Sequence, residues 1–382
     1  MSEIFNYLTK FYSWLCITLI KILRLLPVNS NIKKYDYIVV NLDQTLGDNY
    51  LLIPFIKNLV NAGLDPKILL LASSKNAYLW RNCPYISDVE VVDYKNYSIA
   101  IFLRIFYIIV SFLNFRKISG KVLFIPRFNE DHLAPYIAGT LNCEKSFIFS
   151  EENSARKKIF NYKIDTIFTN PVFIQEKNKS YVNRSLELIR AADIKIDLSL
   201  DNYHWNNKPK NYLSKKILLG ISHGNSSLKN WGIDKYSELI KVLCEYGFCV
   251  ILAGDGSGDA KSSEILSAKY PQVINLVNKI NIDEIERLTS ELICYVGNDT
   301  GLAHLCASFN LSTIMIFGSS CPHIYGANYK NVYSISSCVD CSPCSTGHKF
   351  DRCTKCTSDT YMKCMTSISV GNVLDLIMKV LK

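Results

Sequence analysis

Short apolar runs alternate along most of the chain with longer stretches in which apolar residues recur every three or four positions. The short runs predict buried β-strands, and the periodic stretches predict helices packed over them. Repeated strand–helix units of this length are typical of a parallel α/β sheet. Strands are predicted at residues 37–42, 68–71, 122–125, 217–221, 249–253, 273–277, 292–296 and 313–317, and helices at 49–62, 185–192, 234–246, 259–268, 282–288, 302–309 and 373–381.

The alternation falls into two series, which a polar, turn-rich segment separates at residues 206–211. Such segments are typical of linkers between domains. We therefore predict an N-terminal Rossmann-like domain over residues 35–205 and a C-terminal one over 212–367, followed by a terminal helix over 368–382. The two domains are expected to face each other across a cleft.

A separate leader over residues 1–30 precedes the first strand. On a helical wheel, one arc of about 60° contains Glu3, Asn6, Lys10, Lys21 and Arg24, and the large apolar residues lie outside it. The longest uncharged run is ten residues, half of the roughly 20 that span a bilayer. The pattern predicts a helix lying in the membrane interface, and the alternative is a helix packed on the protein itself. A second apolar stretch at residues 99–113 is open to the same two interpretations.

Composition narrows the class of protein. The chain has 382 residues, of which 48% are hydrophobic and 20% charged, as in folded domains and unlike disordered chains. The formal charge of +9 fits nucleic acid, an anionic membrane, phosphorylated substrates or merely a solvated surface. No basic run interleaved with aromatic residues indicates a nucleic-acid groove. We therefore expect no nucleic-acid partner.

Fourteen cysteines are present, and six of them lie between Cys338 and Cys364. The other eight are scattered, mostly in apolar segments, as expected of small buried side chains in a reducing compartment. In the cluster, paired C-x-x-C units have the spacing of metal ligands. We predict a structural zinc site at Cys341, Cys344, Cys353 and Cys356; disulfides and free thiols remain open alternatives.

One strand ends in a polar turn and passes directly into a helix at Asp299, Thr300 and Gly301. The free N–H groups of such a helix start attract phosphate, together with the helix dipole. His304 follows Thr300 by four residues and so shares its helix face. This grouping suits a nucleotide diphosphate better than a packed core, although a buried structural histidine is the common fate of a lone His.

Other candidate residues follow strands of both series. Asp48 lies just beyond the first strand, where it can act as a general base or only cap a helix. Lys229 lies beyond a later strand and can neutralise a departing diphosphate, with Ser226 and Ser227 as further donors. A solvated surface lysine is the alternative.

Four segments together resemble glycosyltransferase family 9, the lipopolysaccharide heptosyltransferases. They are 46–48 (Leu-Gly-Asp), 223–231 (ending Lys-Asn-Trp), 299–304 (Asp-Thr-Gly-Leu-Ala-His) and 317–320 (Phe-Gly-Ser-Ser). The resemblance implies the GT-B fold and an inverting transfer of heptose from ADP-heptose to a lipopolysaccharide core, with no cofactor or metal needed for catalysis.

The same resemblance implies roles for individual residues. Asp48 is the expected base, and Lys229, Thr300 and Gly301 stabilise the leaving diphosphate. Asp299 and His304 are expected to orient the donor. A loop near the donor ribose contains Asp255, and the adenine contacts fall around Ile280.

Such an enzyme is expected on the cytoplasmic face of a bacterial inner membrane, with a nucleotide-sugar donor, a lipid-anchored glycan acceptor and the membrane surface as its partners. Two alternatives remain from the sequence. One is a nucleotide-sugar epimerase of the GT-B type, and the other is a non-catalytic membrane-associated scaffold held together by the zinc module.

Overall fold

A computed structural model of the protein describes residues 2–27, 31–93, 103–127, 133–153, 157–174, 180–197, 214–223, 227–326, 329–344 and 361–382. The chain divides into two compact units. The first comprises Met1–Thr45, Leu52–Lys177 and Tyr181–Leu198, and the second comprises Leu46–Leu51, Asn178–Ser180 and Ser199–Lys382.

Each unit contains one parallel sheet. The strands of the first are β1 (Lys33–Asn41), β2 (Ile68–Ser73), β3 (Asp88–Val92), β4 (Ile118–Ile125), β5 (Asn142–Phe149) and β6 (Asn170–Val172). The strands of the second are β7 (Lys216–Gly220), β8 (Cys249–Ala253), β9 (Ile274–Asn275), β10 (Cys294–Asn298), β11 (Ser312–Phe317) and β12 (Val332–Ser336). The sheet orders are β3-β2-β1-β4-β5-β6 and β12-β11-β10-β7-β8-β9.

The two sheets have the same topology. In each unit the chain builds strands outward on one side of the first strand, and then returns to build on the other side. This is the doubly wound Rossmann order, and its ligands bind at the carboxyl ends of the two strands where the direction reverses. In the second unit those strands are β7 and β10. The predicted α/β class with two parallel sheets is confirmed.

The helices cover the sheets and connect their strands. In chain order they are α1 (Ser2–Leu23), α2 (Leu46–Tyr50), α3 (Ile53–Asn61), α4 (Ala77–Arg81), α5 (Arg104–Phe115), α6 (Ala134–Ala138), α7 (Lys157–Phe160), α8 (Tyr181–Ala191), α9 (Ile233–Glu245), α10 (Ser257–Lys269), α11 (Ile282–Thr289), α12 (Gly301–Ser308), α13 (Pro322–Tyr325), α14 (Lys363–Thr366) and α15 (Val370–Val380).

The central strands are buried on both faces, which explains their nearly continuous apolar sequences. All six residues of β2 are buried, as are all six of β11. In the second unit, Gly220 and Gly297 lie opposite each other on β7 and β10. A Cβ on Gly220 would lie 1.9 Å from the Tyr295 hydroxyl. The glycine pair therefore makes room for a fully buried tyrosine between the sheet and its covering helices.

The leader forms α1, and one face of this helix lies in the core of the first unit. Cys16, Ile17 and Ile20 are buried there with side chains of the sheet. No helix in the described part of the chain is long and apolar enough to cross a membrane. One face of this helix therefore packs on the protein itself, as the alternative interpretation of the leader predicted. Contact of the helix with a membrane stays a prediction.

The single helix predicted over residues 49–62 was wrong. The structure has two helices there, α2 and α3, with a turn at Leu51 and Leu52. Proline lacks an N–H and is tolerated only in the first turn of a helix, and Pro54 indeed lies in the first turn of α3. The break places Asp48 in the first turn of the short helix α2.

Candidate functional site

Two loops of the second unit meet at its switch point. Lys229 ends a short 3-10 turn, Ser227–Lys229, in the loop after β7. Asp299 directly follows β10, the neighbour of β7 in the sheet. The Lys229 ammonium lies 2.7 Å from Oδ2 of Asp299 and 3.1 Å from its backbone carbonyl oxygen. Two residues that are distant in the sequence thus meet where this topology binds ligands.

Asp299 is the centre of a buried polar network. Its Oδ2 also accepts a hydrogen bond of 2.6 Å from Ser320, and its Oδ1 lies 3.2 Å from Nε2 of His304. The side chain of Asp299 is only 3% exposed, whereas that of Lys229 is 28% exposed. Both carboxylate oxygens of Asp299 are therefore occupied by protein groups, while the Lys229 side chain keeps part of its surface in contact with solvent.

This network keeps the Asp299 carboxylate charged. Burial by itself favours the neutral acid, but the ammonium of Lys229 and then the imidazole of His304 outweigh it, so the pKa of Asp299 is held well below its usual range. An ionised carboxylate only accepts hydrogen bonds, so Nε2 of His304 is the donor to Oδ1 of Asp299. Nδ1 of His304 is buried without a hydrogen-bond partner among the described residues.

Helix α12 begins beside this network. Thr300 is its N-cap, in extended conformation, and its hydroxyl makes no capping hydrogen bond. Gly301 is the first helical residue, and the N–H groups of the first turn have no partner within the helix. Because the helix dipole adds partial positive charge at the same point, this helix start and Lys229 together form a compact positive site, whose charge the ionised Asp299 partly offsets.

The segment Leu46–Leu51 groups with the second unit and packs on α12. A Cβ added to Gly47 would lie 3.0 Å from Cδ2 of His304, and one added to Gly301 would lie 3.0 Å from Cβ of Leu46. The Tyr329 hydroxyl fixes the end of the segment by donating 2.9 Å to the backbone oxygen of Tyr50. Asp48 follows Gly47 directly and is partly buried, so the structure brings it close to the start of α12.

In the first unit, the loop after β1 carries a buried ion pair that sequence reasoning missed. Asp43 is 3% exposed and pairs with Arg127. Its Oδ1 accepts from both the backbone and the hydroxyl of Thr45, each at 2.8 Å. Thr45 is the last residue of this stretch of the first unit, so the pair and these hydrogen bonds hold the end of the loop within that unit.

Ser320 was also missed, although it belongs to a quoted motif. Its position after β11 could have predicted its place in the site, because β11 and β10 are neighbouring parallel strands and their carboxyl ends lie at a common edge of the sheet. Of the other predicted residues, Ser227 is exposed, and Ser226 lies outside the described residues. Asp255 follows β8, which lies two strands from β10 and thus about 10 Å away across the sheet. Ile280 is partly buried just before α11.

The predicted zinc site is only partly described. Cys341 and Cys344 are partly buried, and neither forms a disulfide among the described residues. Cys353 and Cys356 lie outside the described residues. No group of three or more potential metal ligands occurs within the described ranges. The zinc site stays a prediction.

Comparison with known proteins supports the resemblance. Residues 169–354 match the sequence model of "Glycosyltransferase family 9 (heptosyltransferase)". Lipooligosaccharide heptosyltransferase 2 of Haemophilus influenzae is 30% identical over 116 residues, which are 29% of this chain and 34% of that protein. Lipopolysaccharide heptosyltransferase 2 of Escherichia coli is 31% identical over 115 residues, 28% of this chain and 33% of that protein. The chain thus aligns with about a third of the length of these curated relatives.

Solved structures show the same fold. The E. coli heptosyltransferase WaaC with ADP superposes with a TM-score of 0.68 at 14% identity, over 91% of this chain and all of that chain. A family 9 glycosyltransferase from Veillonella parvula gives a TM-score of 0.72 at 15% identity, over 91% of this chain and 97% of that chain. The predicted GT-B fold class is confirmed by these neighbours. The resemblance to glycosyltransferase family 9 is confirmed by the match of residues 169–354 to the model of this heptosyltransferase family.

Proposed function

We propose that this protein is an inverting glycosyltransferase of lipopolysaccharide biosynthesis. It moves heptose from ADP-heptose to a sugar of a lipid-anchored core. The observation that carries the proposal is the positive site formed by Lys229 and the start of α12, beside the segment that contains Asp48. The relatives that match in sequence are named as heptosyltransferases of lipooligosaccharide or lipopolysaccharide.

The donor diphosphate binds at this positive site. The Lys229 ammonium and the backbone N–H groups of Thr300 and Gly301 hold its oxygens. Asp299 acts as a positioning residue, because its carboxylate is already occupied by Lys229, Ser320 and His304. It fixes the lysine and the imidazole, and it does not itself contact the phosphates, whose negative charge it would repel.

Transfer then needs one base and one stabilised leaving group. The acceptor hydroxyl oxygen attacks the anomeric carbon from the face opposite the diphosphate, and Asp48 takes its proton. The bond between that carbon and the phosphate oxygen breaks, and its electron pair leaves with ADP. Lys229 and the helix start stabilise the charge that develops there. The configuration at the anomeric carbon inverts, and no metal ion is required.

The place of action follows from the acceptor. A lipid-anchored core sugar is presented at the cytoplasmic face of the inner membrane of a bacterium. We therefore place the enzyme at that surface as a peripheral protein, with the donor, the glycan acceptor and the membrane as its partners.

Replacing Asp48 by Asn tests the catalytic role. The variant keeps the shape but loses the base, so turnover should fall by about 10²–10⁴-fold, while ADP binding measured by calorimetry is retained. Asp375→Asn, on the exposed side of α15, is the matched control and should leave both unchanged. If Asp48→Asn transfers heptose at the wild-type rate, the assignment of the base is wrong.

Nucleotide preference tests the donor. Stabilisation by ADP, measured as a shift of the melting temperature, should exceed that by UDP, GDP or CMP at equal concentration, since a ligand stabilises only the state that binds it. A clear preference for another base would overturn the ADP-heptose assignment while leaving a glycosyltransferase in place.

A further inference from the structure

Helix α1 is apolar on two opposite faces. Its inner face belongs to the first unit: the Ser13 hydroxyl donates 2.9 Å to the backbone oxygen of Tyr162, and Arg24 Nε donates 2.8 Å to the backbone oxygen of Gly139. Cys16 and Ile20 are fully buried beside them. These contacts fix the orientation of the helix, and therefore fix which of its side chains point outward.

The outward side chains of α1 are large and apolar. At 100° per residue they fall within an arc of about 120°, opposite the buried face. Tyr7 is 72% exposed, and Phe11 and Trp14, whose rings stack with centroids 5.9 Å apart, are each about half exposed. The exposed residues of this arc are Ile4, Tyr7, Leu8, Phe11, Trp14, Leu15 and Ile22. Burying such a set is favourable, so its exposure calls for an occupant.

Helix α5 continues the same surface. It packs beside α1, with the backbone N–H of Ile105 donating to the Tyr12 hydroxyl at 3.4 Å. Its inner side chains, such as Ile108, share the core cluster of the first sheet with Ile20 of α1. Its outer side chains Leu103, Phe106, Ile109 and Leu113 are exposed. We call the exposed apolar side chains of α1 and α5 the outer apolar face.

Basic residues lie at the C-terminal ends of both helices. The C-terminal ends of both helices meet at a cavity of about 250 Å³ that Arg24 and Arg116 line. Lys117 accepts, through its backbone oxygen, a 2.8 Å hydrogen bond from Lys33 at the start of β1, and Lys21 is exposed on the last turn of α1. Glu3 is the one carboxylate within the described residues 2–27 and 103–127.

We propose that the outer apolar face docks in the plane of a bilayer that contains anionic lipids. Aromatic and aliphatic side chains beside basic residues are the combination that binds such a surface. A second copy of the chain fits less well, because it would bring the same basic residues together. The inference deepens the proposed function and rests on its lipid-anchored acceptor; it adds that two helices of the first unit, held by its core, form the membrane contact.

Vesicle sedimentation of the full chain tests the proposal. The wild-type protein should bind phosphatidylcholine vesicles with 30 mol% phosphatidylglycerol, and bind pure phosphatidylcholine more weakly. Phe11→Asp combined with Phe106→Asp places one charge on each helix and should weaken binding by about tenfold or more. Leu64→Asp is the matched control, because Leu64 is fully exposed elsewhere in the first unit. Circular dichroism and ADP binding verify that each variant is folded.

Three outcomes would overturn the proposal: no vesicle binding by the wild type, equal binding by the double variant, or a wild-type dimer that the double variant converts to monomer in the absence of vesicle binding. Transfer to a delipidated acceptor is measured on the same samples. If vesicles are bound but no sugar is transferred, the proposed function fails and the docking surface stands. If sugar is transferred to the delipidated acceptor but vesicles are not bound, the proposed function stands and the docking surface fails.

Discussion

Gly301→Ala should displace the segment that carries Asp48. The new Cβ would lie 3.0 Å from Cβ of Leu46 and 3.3 Å from the backbone nitrogen of Gly47. These distances are shorter than ordinary van der Waals contacts, so the segment must move away from α12 by a few tenths of an ångström. A catalytic group misplaced by about 1 Å can cost about 10²-fold in rate. Because the shift is a fraction of that distance, we expect kcat to fall by up to about tenfold.

The stability of this variant should change only modestly. Overpacking costs about 1–3 kcal/mol, but alanine is favoured over glycine in a helix by about 1 kcal/mol. The free energy of unfolding should thus fall by about 2 kcal/mol or less. Heptose transfer is measured as ADP release at saturating donor and acceptor, and stability is measured by urea unfolding.

Gly258→Ala provides the control. Gly258 also lies in the first turn of a helix, α10, and a Cβ added there meets no atom within 4 Å. This variant should keep its activity and be equally or slightly more stable. If Gly301→Ala retains full kcat, the close packing of Leu46–Leu51 on α12 does not position the base, and the mechanism loses its geometric support.

Three further predictions concern charge and metal. First, folding keeps the Asp299 carboxylate ionised to a lower pH than in the unfolded chain, so its contribution to the free energy of unfolding is complete above about pH 4 and is lost below it. Below about pH 4, the difference in unfolding free energy between wild type and Asp299→Asn should therefore shrink by about 1.4 kcal/mol per pH unit. A difference that stays constant with pH in urea titrations would contradict this. Second, Arg127→Met removes the cation beside the buried Asp43 carboxylate and should cost about 3–5 kcal/mol, whereas Lys121→Met, which breaks an exposed pair with Asp36, should leave the free energy of unfolding nearly unchanged; equal losses of stability would show that the buried pair has no special role. Third, elemental analysis should find about one zinc ion per chain, the content of a closed four-cysteine site, and the double variant Cys341→Ser, Cys344→Ser should lose this zinc. Brief treatment with a chelator should leave sugar transfer intact. Loss of transfer on chelation would refute metal-independent catalysis.

Most central strands could be predicted from the sequence because they are buried on both faces, which leaves continuous apolar runs. The central strand β5 and the edge strands β3, β6 and β12 were not predicted, whereas the edge strand β9 was. The side chains of β3, β6 and β12, and those of the first half of β5, are largely exposed or only partly buried, so neither an apolar run nor a clear alternation marks them. Strand pairing that depends on a neighbour far along the chain leaves little local signal.

In the candidate site as well, local sequence features could be predicted, whereas contacts between distant segments could not. The start of α12 was predicted, because a strand, a polar turn and a helix follow one another within ten residues of sequence. The pairing of Lys229 with Asp299 was not, since it depends on β7 and β10 being neighbours. The same holds for Ser320 and for the pair of Asp43 and Arg127, which only the folded sheets bring together.

The grouping of Leu46–Leu51 with the second unit, between stretches that group with the first, has a consequence for dissecting the gene. A fragment that starts at residue 214 would encode β7 to β12 and α12, but it would lack the peptide that covers Gly301. Isolated expression of that half would expose the flank of α12 at Gly301 to water and, under the proposed function, would lack the catalytic base. Fragments intended for ligand screening should therefore retain the N-terminal half, or supply the missing hexapeptide in trans.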